Sequence, residues 1–357
     1  METLTQSREI SHANTTMKAL AKMEARGGIW HIDAPVPTPG PEDVLIKVRA
    51  TAICGTDIHI YNWDDWAAQN VPVPMIVGHE FAGEIVEIGS AVSRDLRVGQ
   101  RVSAEGHVID LDSAAARMGR FHLDCGTVGI GVNRQGAFAE YICVPAFNVI
   151  ELPDSVSDEV GAMLDPFGNA VHTAQQFDLM GENVLVTGAG PIGIMAAAVA
   201  RRAGARSVVL TDVNPFRLHL ASKIADVRAV NVAREDLRDV MAEEGITGGF
   251  DVALEISGSE PAIRQAVDAL IMGGKIAMLG IPARPMEVAW GEIILKALTI
   301  RGVYGREMFG TWRKMLGLIH GGLDMTPLIT HRMPSCEYQA GFDAMRSGQS
   351  GKVVLNW

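Results

Sequence analysis

The alternation of apolar and polar positions separates the chain into two regions with different local periods. Up to residue 152 apolar residues tend to recur at every second position, as in residues 43–50, and this period is typical of strands. The same signal predicts strands at residues 80–88, 98–103, 136–144 and 148–152. The segment between residues 104 and 135 is irregular, with one short helix predicted near residues 113–118. Residues 17–152 are therefore expected to form a β-rich domain.

From Ser157 to about Gly302 the period is helical, and short apolar runs of strand length recur between the helical segments. The predicted strands are residues 184–186, 207–211, 229–231, 250–255, 275–279 and 298–303. Strands that alternate with helices in this way predict a doubly wound α/β domain around a parallel sheet. The chain then continues with helices near residues 308–320 and 335–346 and a strand at residues 352–355. We expect this last part to rejoin the β-rich domain.

These patterns divide the chain into three parts. Residues 1–16 are polar and unpatterned, and we expect them to form a disordered tail. Residues 17–165 and 303–357 are predicted to form the β-rich domain, and residues 166–302 the α/β domain inserted in it. The predicted fold class is α/β.

A glycine motif lies at the centre of the α/β part. The apolar strand at residues 184–186 is followed by Gly188, Gly190 and Gly193 in G-x-G-x-x-G spacing, and an alanine-rich helix begins within the motif. In a dinucleotide-binding turn these glycines allow the tight turn, the approach of the pyrophosphate and the close packing of helix on strand. Asp212 closes the next strand, where a carboxylate accepts from ribose hydroxyls and repels a 2′-phosphate. The motif therefore predicts a site for NAD rather than NADP, although Arg217 blurs the distinction.

The bulk composition narrows the class of partner. The 357 residues carry a net charge of −11, which argues against nucleic acid or an anionic membrane surface. The four cysteines are scattered, which argues against a disulfide framework and fits a reducing compartment. No signal peptide is visible, and the longest apolar run, residues 192–200, is too short to span a bilayer. We therefore expect a cytoplasmic protein.

A second candidate site lies in the β-rich part. Cys54, His79 and Glu80 offer a thiolate, an imidazole and a carboxylate, and this set favours zinc among the first-row metals. Taken singly, an isolated cysteine is more often a small buried hydrophobe, and an isolated histidine is more often a hydrogen-bonded structural residue. Beside a nicotinamide-binding domain the metal interpretation gains weight, because alcohol oxidation uses a zinc with an open coordination position.

Together these motifs resemble the zinc-dependent medium-chain dehydrogenase family. The Gly-His-Glu motif at residues 78–80 and the glycine turn at residues 188–193 are similar to the motifs of that superfamily. Four longer segments resemble its bacterial branch that acts on L-threonine, and they are residues 51–63, 165–173, 305–309 and 342–348. The resemblance extends over residues 17–357, and the first 16 residues have no counterpart.

The resemblance implies a GroES-like catalytic domain split around a Rossmann domain, and a homotetramer. It implies that NAD oxidises L-threonine at the 3-hydroxyl to 2-amino-3-ketobutyrate, with a catalytic zinc as Lewis acid. Cys54 and His79 would bind this zinc, with Glu80 and Asp165 as acidic partners close to the metal.

The resemblance also implies roles for residues outside the metal site. Thr56 and His59 would form the proton relay, and His107 would face the substrate. The residues expected to contact NAD, besides the three glycines, are Ile192, Asp212, Arg217, Leu279, Gly280, Ile281, Val303 and Tyr304. Glu105 is a candidate partner for the substrate ammonium on its spacing alone, but an exposed loop carboxylate is a slightly better interpretation.

The sequence departs from the family in one segment. Relatives hold a second, structural zinc with four cysteines, and these positions are occupied here by Asp110, Ser113, Ala116 and Asp124. Because a closed zinc site needs four good ligands, we expect this lobe to be metal-free and the chain to bind one zinc. The apolar residues available to order the lobe are Leu111, Met118, Phe121 and Leu123.

Two alternative functions remain open at this point. A zinc-dependent polyol or diol dehydrogenase would share the fold and the metal, but it would not need to bind an amino acid. A non-catalytic dinucleotide-binding protein is the alternative from another class, although the joint presence of Cys54, Thr56, His59 and His79 argues against it.

Overall fold

The computed structural model describes residues 15–357. The elements before residue 175 are β1 (Thr16–Lys22), β2 (Trp30–Pro35), β3 (Asp43–Ala52), α1 (Gly55–Asn62), α2 (Asp65–Asn70), β4 (Met75–Ile76), β5 (Glu80–Ile88), β6 (Arg101–Ala104), β7 (His107–Val108), α3 (Ala114–Arg117), β8 (Val128–Gly129), β9 (Tyr141–Pro145), β10 (Val149–Glu151), α4 (Asp158–Ala162) and α5 (Leu164–Ala174). Short 3-10 helices lie at Phe121–Leu123 and Ala146–Asn148.

The middle of the chain alternates strands and helices. Its elements are β11 (Asn183–Thr187), α6 (Pro191–Arg202), β12 (Ser207–Asp212), α7 (Pro215–Ile224), β13 (Arg228–Asn231), α8 (Leu237–Glu243), β14 (Phe250–Glu255), α9 (Glu260–Ala269), β15 (Leu270–Met278), α10 (Trp290–Leu295) and β16 (Thr299–Gly302). All six strands are parallel, in the order β13-β12-β11-β14-β15-β16. From β11 the first strands are added on one side of the sheet, and from β14 the later strands are added on the other side. Ligands of such sheets bind at the carboxyl ends of the strands near this switch point.

The C-terminal part returns to the first region. Its elements are α11 (Gly310–His320), β17 (Ile329–Pro334), α12 (Tyr338–Ser347) and β18 (Lys352–Asn356), with 3-10 turns at Thr326–Leu328 and Ser335–Glu337. β18 pairs antiparallel with β3 and parallel with β17, so the last strands extend the sheet β10-β6-β5-β3-β18-β17. A further strand, β9, also pairs with β3. The mixed α/β class, with a Rossmann parallel sheet beside a GroES-like β-region, is the one predicted.

One helix connects the two regions. α5 buries Phe167, Ala170 and Val171 in a core cluster that also contains Met195 of α6 and Ala82 of β5. The boundary predicted at residue 165 lies inside this helix, because a continuous helix packs against both sheets and no linker separates them.

The structure differs from the predicted elements in several places. β1 and β2 were not predicted, and β1 already begins at Thr16, inside the expected tail, while residues 1–14 lie outside the described residues. β1 contains two alanines and two lysines and only one β-branched residue, Thr16, so strand propensity does not reveal it. No helix was predicted for residues 55–62, which form α1 with Cys54 as its N-cap residue. Within residues 15–357, the longest helix has 12 residues and none could cross a bilayer.

Candidate zinc and dinucleotide site

Three potential metal ligands converge where α1 and β5 begin. Cys54 is the N-cap residue of α1, His79 directly precedes β5, and Glu80 is the first residue of that strand. One ligand atom from each residue lies within 4.8 Å of the others. This is the only group of three or more such ligands in residues 15–357.

Asp57 contacts the backbone of Cys54 and lies near the imidazole of His79. Its carboxylate accepts from the backbone N–H of Cys54 at 2.8 Å, which closes a capping box at the start of α1. Its other oxygen lies 3.9 Å from His79 Nδ1. Burial raises the pKa of Asp57, and the charge of His79 acts in the opposite direction. Asp57 was not predicted as a site residue, although its position three residues after Cys54 is a signal for such a box.

Lys352 holds one oxygen of Glu80. The fully buried lysine donates to Glu80 Oε2 and to the carbonyl of Ile53, the latter at 3.0 Å. Glu80 Oε1 is buried and has no hydrogen-bond partner among the described residues. Sequence analysis missed Lys352, whose signal is a lone charge at the start of the apolar strand β18.

The ligand atoms suit a zinc ion. His79 Nδ1 and Asp57 Oδ1 are also buried without hydrogen-bond partners in the described structure, and such atoms are costly unless something else binds nearby. Burial by itself would lower the pKa of His79, but the negative charges of Cys54 and Asp57 raise it well above its usual value. A site this negative, with one sulfur, one nitrogen and one carboxylate, fits a divalent zinc.

Asp165, predicted with Glu80 as an acidic partner close to the metal, lies outside this group of three. Its Oδ2 lies 2.5 Å from Arg306 Nη2. The carboxylate nevertheless acts electrostatically on His79 and Glu80, so it lies near the metal ligands.

The prediction that Glu105 is an exposed loop carboxylate is wrong. Glu105 is fully buried and accepts from Arg306 at 2.6 and 2.8 Å and from Trp312 Nε1 at 2.8 Å. Arg306 and Trp312 follow Glu105 by 201 and 207 residues in the sequence. No local sequence pattern therefore predicts these contacts. With its oxygens engaged in this way, Glu105 is better placed to support its neighbours than to bind a substrate ammonium.

His107 is one of those neighbours. Its Nδ1 lies 2.8 Å from Glu105 Oε1, and its side chain is 28% exposed. The ring lies 6.3 Å from the ring of Tyr304, one of the residues predicted to contact the nicotinamide cofactor. Glu105 therefore orients an imidazole that lies near the segment following β16.

Thr56 and His59 lie on α1, three residues apart and so on one face of the helix. Thr56 Oγ1 lies 3.8 Å from Cys54 Sγ, next to the metal ligands. His59 is 59% exposed, and its Nδ1 lies 2.5 Å from Asp64 Oδ2. His59 is not a member of the metal group, and its place in a relay to solvent stays a prediction.

The glycine turn has the geometry that a pyrophosphate requires. Gly188 has φ +93°, and a Cβ on Gly193 would lie 1.7 Å from the carbonyl oxygen of Gly188. No heavy atom lies within 4 Å of a Cβ built on Gly190, the N-cap of α6. The free N–H groups at this helix end therefore face open space that suits an anion.

Asp212 lies where the ribose was expected, but it also has a structural role. Its Oδ2 accepts from Ala189 N–H at 2.7 Å, which ties β12 to the glycine turn, and Oδ1 accepts from two N–H groups of its own loop. It lines a cavity of about 330 Å³ together with Gly188, Val232 and Ser257. Arg217 Nε is buried without a hydrogen-bond partner within residues 15–357.

The other predicted cofactor contacts follow the carboxyl ends of neighbouring strands. Leu279, Gly280 and Ile281 follow β15, and Val303 and Tyr304 follow β16. Ile281 and Tyr304 are 88% and 58% exposed. Ile192 lies in the first turn of α6.

The lobe that lacks the four cysteines is organised by hydrogen bonds. Asp124 is buried; its carboxylate accepts from Asp110 N–H at 3.0 Å and from Gly126 N–H at 3.3 Å, and Ser113 caps α3. Leu111, Met118 and Leu123 are half or more exposed, and only Phe121 of the expected apolar set packs, against Phe147 and Phe309. A polar network, rather than an apolar cluster, orders this lobe.

Comparison with protein families gives two matches. Residues 40–154 match the alcohol dehydrogenase GroES-like domain, and residues 191–321 match the zinc-binding dehydrogenase family. Together they cover more than half of the chain.

Comparison with individual proteins is more specific. The chain is 62% identical to the L-threonine 3-dehydrogenase of Ruegeria pomeroyi and 60% identical to that of Escherichia coli K12, over 96% of this chain and 100% of each relative. Among solved structures, 2R,3R-butanediol dehydrogenase of Bacillus subtilis superposes with a TM-score of 0.86 at 26% identity, over 96% of this chain and 99% of that one. The chain therefore belongs to the zinc-dependent medium-chain dehydrogenase family, in the branch of the L-threonine 3-dehydrogenases.

Proposed function

We propose that the protein oxidises L-threonine at its 3-hydroxyl to 2-amino-3-ketobutyrate and transfers the hydride to NAD. The observation that carries the proposal is the group of Cys54, His79 and Glu80, in which His79 Nδ1 and Glu80 Oε1 are buried and have no hydrogen-bond partner among the described residues. Its specific substrate is supported by the 60–62% identity to L-threonine 3-dehydrogenases over nearly the whole chain.

Cys54, His79 and Glu80 would hold one zinc ion, with Asp165 as the nearby acidic group. When bound, zinc supplies Lewis-acid polarisation of the substrate hydroxyl, which lowers its pKa. Burial raises the pKa of Glu80, and the charge of Lys352 acts in the opposite direction. Lys352 donates to Oε2 and leaves Oε1 available. The lobe around Asp124 would bind no metal, so the proposed stoichiometry is one zinc per chain.

Thr56 and His59 would carry the hydroxyl proton to solvent. The Thr56 hydroxyl lies beside Cys54 Sγ, and the exposed His59 lies on the same face of α1. A hydroxyl and an imidazole in series allow proton transfer without exposing the reacting carbon to water.

His107 would help to select an amino acid as substrate. Glu105 already accepts from Arg306 and Trp312, so its role is to orient the imidazole rather than to bind the substrate ammonium. Asp165 also pairs with Arg306 through Oδ2, but its side chain is 12% exposed whereas that of Glu105 is fully buried, so Asp165 is the better candidate for the ammonium.

The glycine turn and Asp212 would bind NAD in preference to NADP. A carboxylate at the end of β12 repels a 2′-phosphate, and Asp212 remains partly accessible at the cavity that it lines. The KM for each cofactor is the direct measurement, and equal use of both would exclude this role. By resemblance we further propose a homotetramer located in the cytoplasm, to be checked by light scattering and by cell fractionation.

The deciding experiment is NADH formation from L-threonine, sorbitol and 2,3-butanediol, each with and without a chelator. L-threonine should be the best substrate, and the chelator should abolish its oxidation. A preference for sorbitol or butanediol would favour the polyol or diol dehydrogenase alternative. Absence of NADH formation from all three by zinc-loaded protein would favour a non-catalytic dinucleotide-binding protein.

A further inference from the structure

Asp64 lies between α1 and α2 and forms a hydrogen bond with each helix. Its Oδ2 lies 2.5 Å from His59 Nδ1 in the last turn of α1. Its Oδ1 accepts from Ala67 N–H at 3.0 Å and so caps α2. The carboxylate therefore has a defined position relative to the imidazole, although both side chains are partly exposed.

The turn between α1 and Asp64 is stabilised by the buried residue Lys22, which packs on Trp63. Trp63 adopts φ 56° and ψ 51°, a left-handed conformation that is unfavourable for a bulky residue. Its ring lies beneath the Lys22 ammonium, 4.9 Å from the ring centroid. Lys22 is fully buried and donates to the carbonyls of Arg26 and Gly28 at 2.5 and 2.9 Å, and more weakly to that of Tyr61. The turn that carries the Asp64–His59 pair is thus held in place by buried contacts of Trp63 and Lys22.

The pair determines which nitrogen of His59 can accept a proton. An ionised carboxylate only accepts hydrogen bonds, so Nδ1 must carry the hydrogen in this contact. In the neutral imidazole Nε2 then has the free lone pair. A carboxylate holds the imidazole of a catalytic triad in the same way, and its replacement by an amide favours the wrong tautomer.

We propose that Asp64 is a positioning residue of the proton relay, which keeps His59 Nε2 ready to accept. This inference rests on the proposed function, in which His59 receives the proton. The substrate O–H bond breaks as Thr56 takes that proton and gives its own hydroxyl proton to His59 Nε2. Asp64 stabilises the resulting imidazolium, which releases the proton to water because His59 is 59% exposed.

Asp64→Asn tests the proposal with little disturbance of the fold. Asparagine is an equally good N-cap, so α2 keeps its start, and an exposed ion pair contributes little to stability. The amide can donate to Nδ1 and so favours the opposite tautomer. The matched control is Asp65→Asn, which removes the adjacent carboxylate, the one that is not bonded to His59.

Two quantities are measured for each variant. The first is the His59 tautomer, from 15N chemical shifts of histidine-labelled protein, with His59→Asn to assign the signal. The second is kcat with L-threonine, together with KM and zinc content. Asp64→Asn should move hydrogen from Nδ1 to Nε2 and lower kcat about tenfold, less than the 10²–10⁴ of direct acid–base catalysis, with KM and zinc content unchanged. Asp65→Asn should change neither quantity.

The proposal is overturned if Asp64→Asn retains the Nδ1–H tautomer, or if its kcat equals that of Asp65→Asn. Should Asp64→Asn lower the thermal midpoint by more than the control does, Asp64→Ser provides the second variant. Serine also caps α2 but has no carboxylate for His59, so the same loss of kcat is expected and its absence contradicts the proposal. Lack of threonine oxidation by the unmodified protein would refute the proposed function, together with the relay that depends on it. The tautomer would then still report whether Asp64 orients His59.

Discussion

Glu105 and Arg306 are buried to within about 1% of their accessible surface, and they face each other with two hydrogen bonds. A buried charge is tolerated when it is paired and hydrogen-bonded, and removing one partner leaves the other uncompensated. Lys352 and Glu80 form a second pair of this kind beside the metal ligands. At the scale of single residues, the candidate site is therefore a set of anionic groups, several of which are held by buried cations.

Glu105→Gln should change the acid stability of the protein. Burial by itself raises the pKa of Glu105, but the charge of Arg306 and the hydrogen bond with His107 lower it to about 2, from a reference value of 4.5. Because the unfolded chain binds this proton more readily, the stabilisation is fully present above pH 4.5 and is lost as the pH falls towards 2. The variant should lose about 3 kcal/mol at pH 7, with a smaller further loss between pH 4.5 and 2 than the unmodified protein.

Urea unfolding at a series of pH values measures both effects. Glu42→Gln, at an exposed position, serves as the control and should leave the pH dependence unchanged. An acid slope identical in the Glu105→Gln variant and the unmodified protein would show that the carboxylate is not held by Arg306.

At the scale of the lobe, a carboxylate and backbone N–H groups hold an irregular segment together. The segment from Asp110 to Gly126 contains α3 and one 3-10 turn, and most of its apolar residues are exposed. The carboxylate of Asp124 connects the two ends of the segment. A carboxylate has several acceptor sites and can accept hydrogen bonds from N–H groups at both ends of a loop. A neutral side chain of the same size has fewer acceptor sites.

Asp124→Ala should therefore loosen the lobe. We expect faster cleavage by trypsin at Arg117 and Arg120, and a fall of about 2 °C in the thermal midpoint. Asp112→Ala is the matched control. The side chain of Asp112 is 92% exposed, and its ion pair with Arg117 is long, at 3.8 Å. Equal cleavage of the two variants would contradict the role given to Asp124.

The whole molecule brings the two regions together around α5 and the segment after β16. Arg306, which follows β16 by four residues, passes over α5 at Gly168, where a Cβ would lie 2.4 Å from Arg306 Cδ. It then contacts Asp165 and Glu105, so one side chain joins the Rossmann sheet, the connecting helix and the β-rich region. Polar contacts and a continuous apolar core hold this arrangement together.

Removal of metal should therefore abolish activity and leave the fold nearly unchanged. Purified protein is expected to contain about one zinc per chain, as a single open catalytic site requires. A chelator should stop NADH formation from L-threonine, while circular dichroism and the thermal midpoint change little. Two tightly held zinc ions per chain, or unfolding on chelation, would show that the lobe around Asp124 binds metal after all.

Local pattern was sufficient for the parts of this protein that form from neighbouring residues. The strand, glycine turn, helix and acid between residues 183 and 212 occur in the predicted order, because their apolar periods and their glycines act over a few positions. β5 and β14 have the predicted bounds for the same reason. The convergence of Cys54 with His79 and Glu80 was proposed from ligand chemistry and family resemblance, and the structure places these three together.

Other features depended on the tertiary structure alone. Glu105 with Arg306, and Glu80 with Lys352, are separated by 201 and 272 residues, and the sequence near each acid does not show that a cation covers it. β1 was missed because its alanines and lysines have no strand propensity of their own and pair through β2. Sequence by itself thus determined the elements and the types of ligand, through interactions that are short in range. The pairing of buried charges was decided by the fold, since only packing removes the water that would otherwise solvate them.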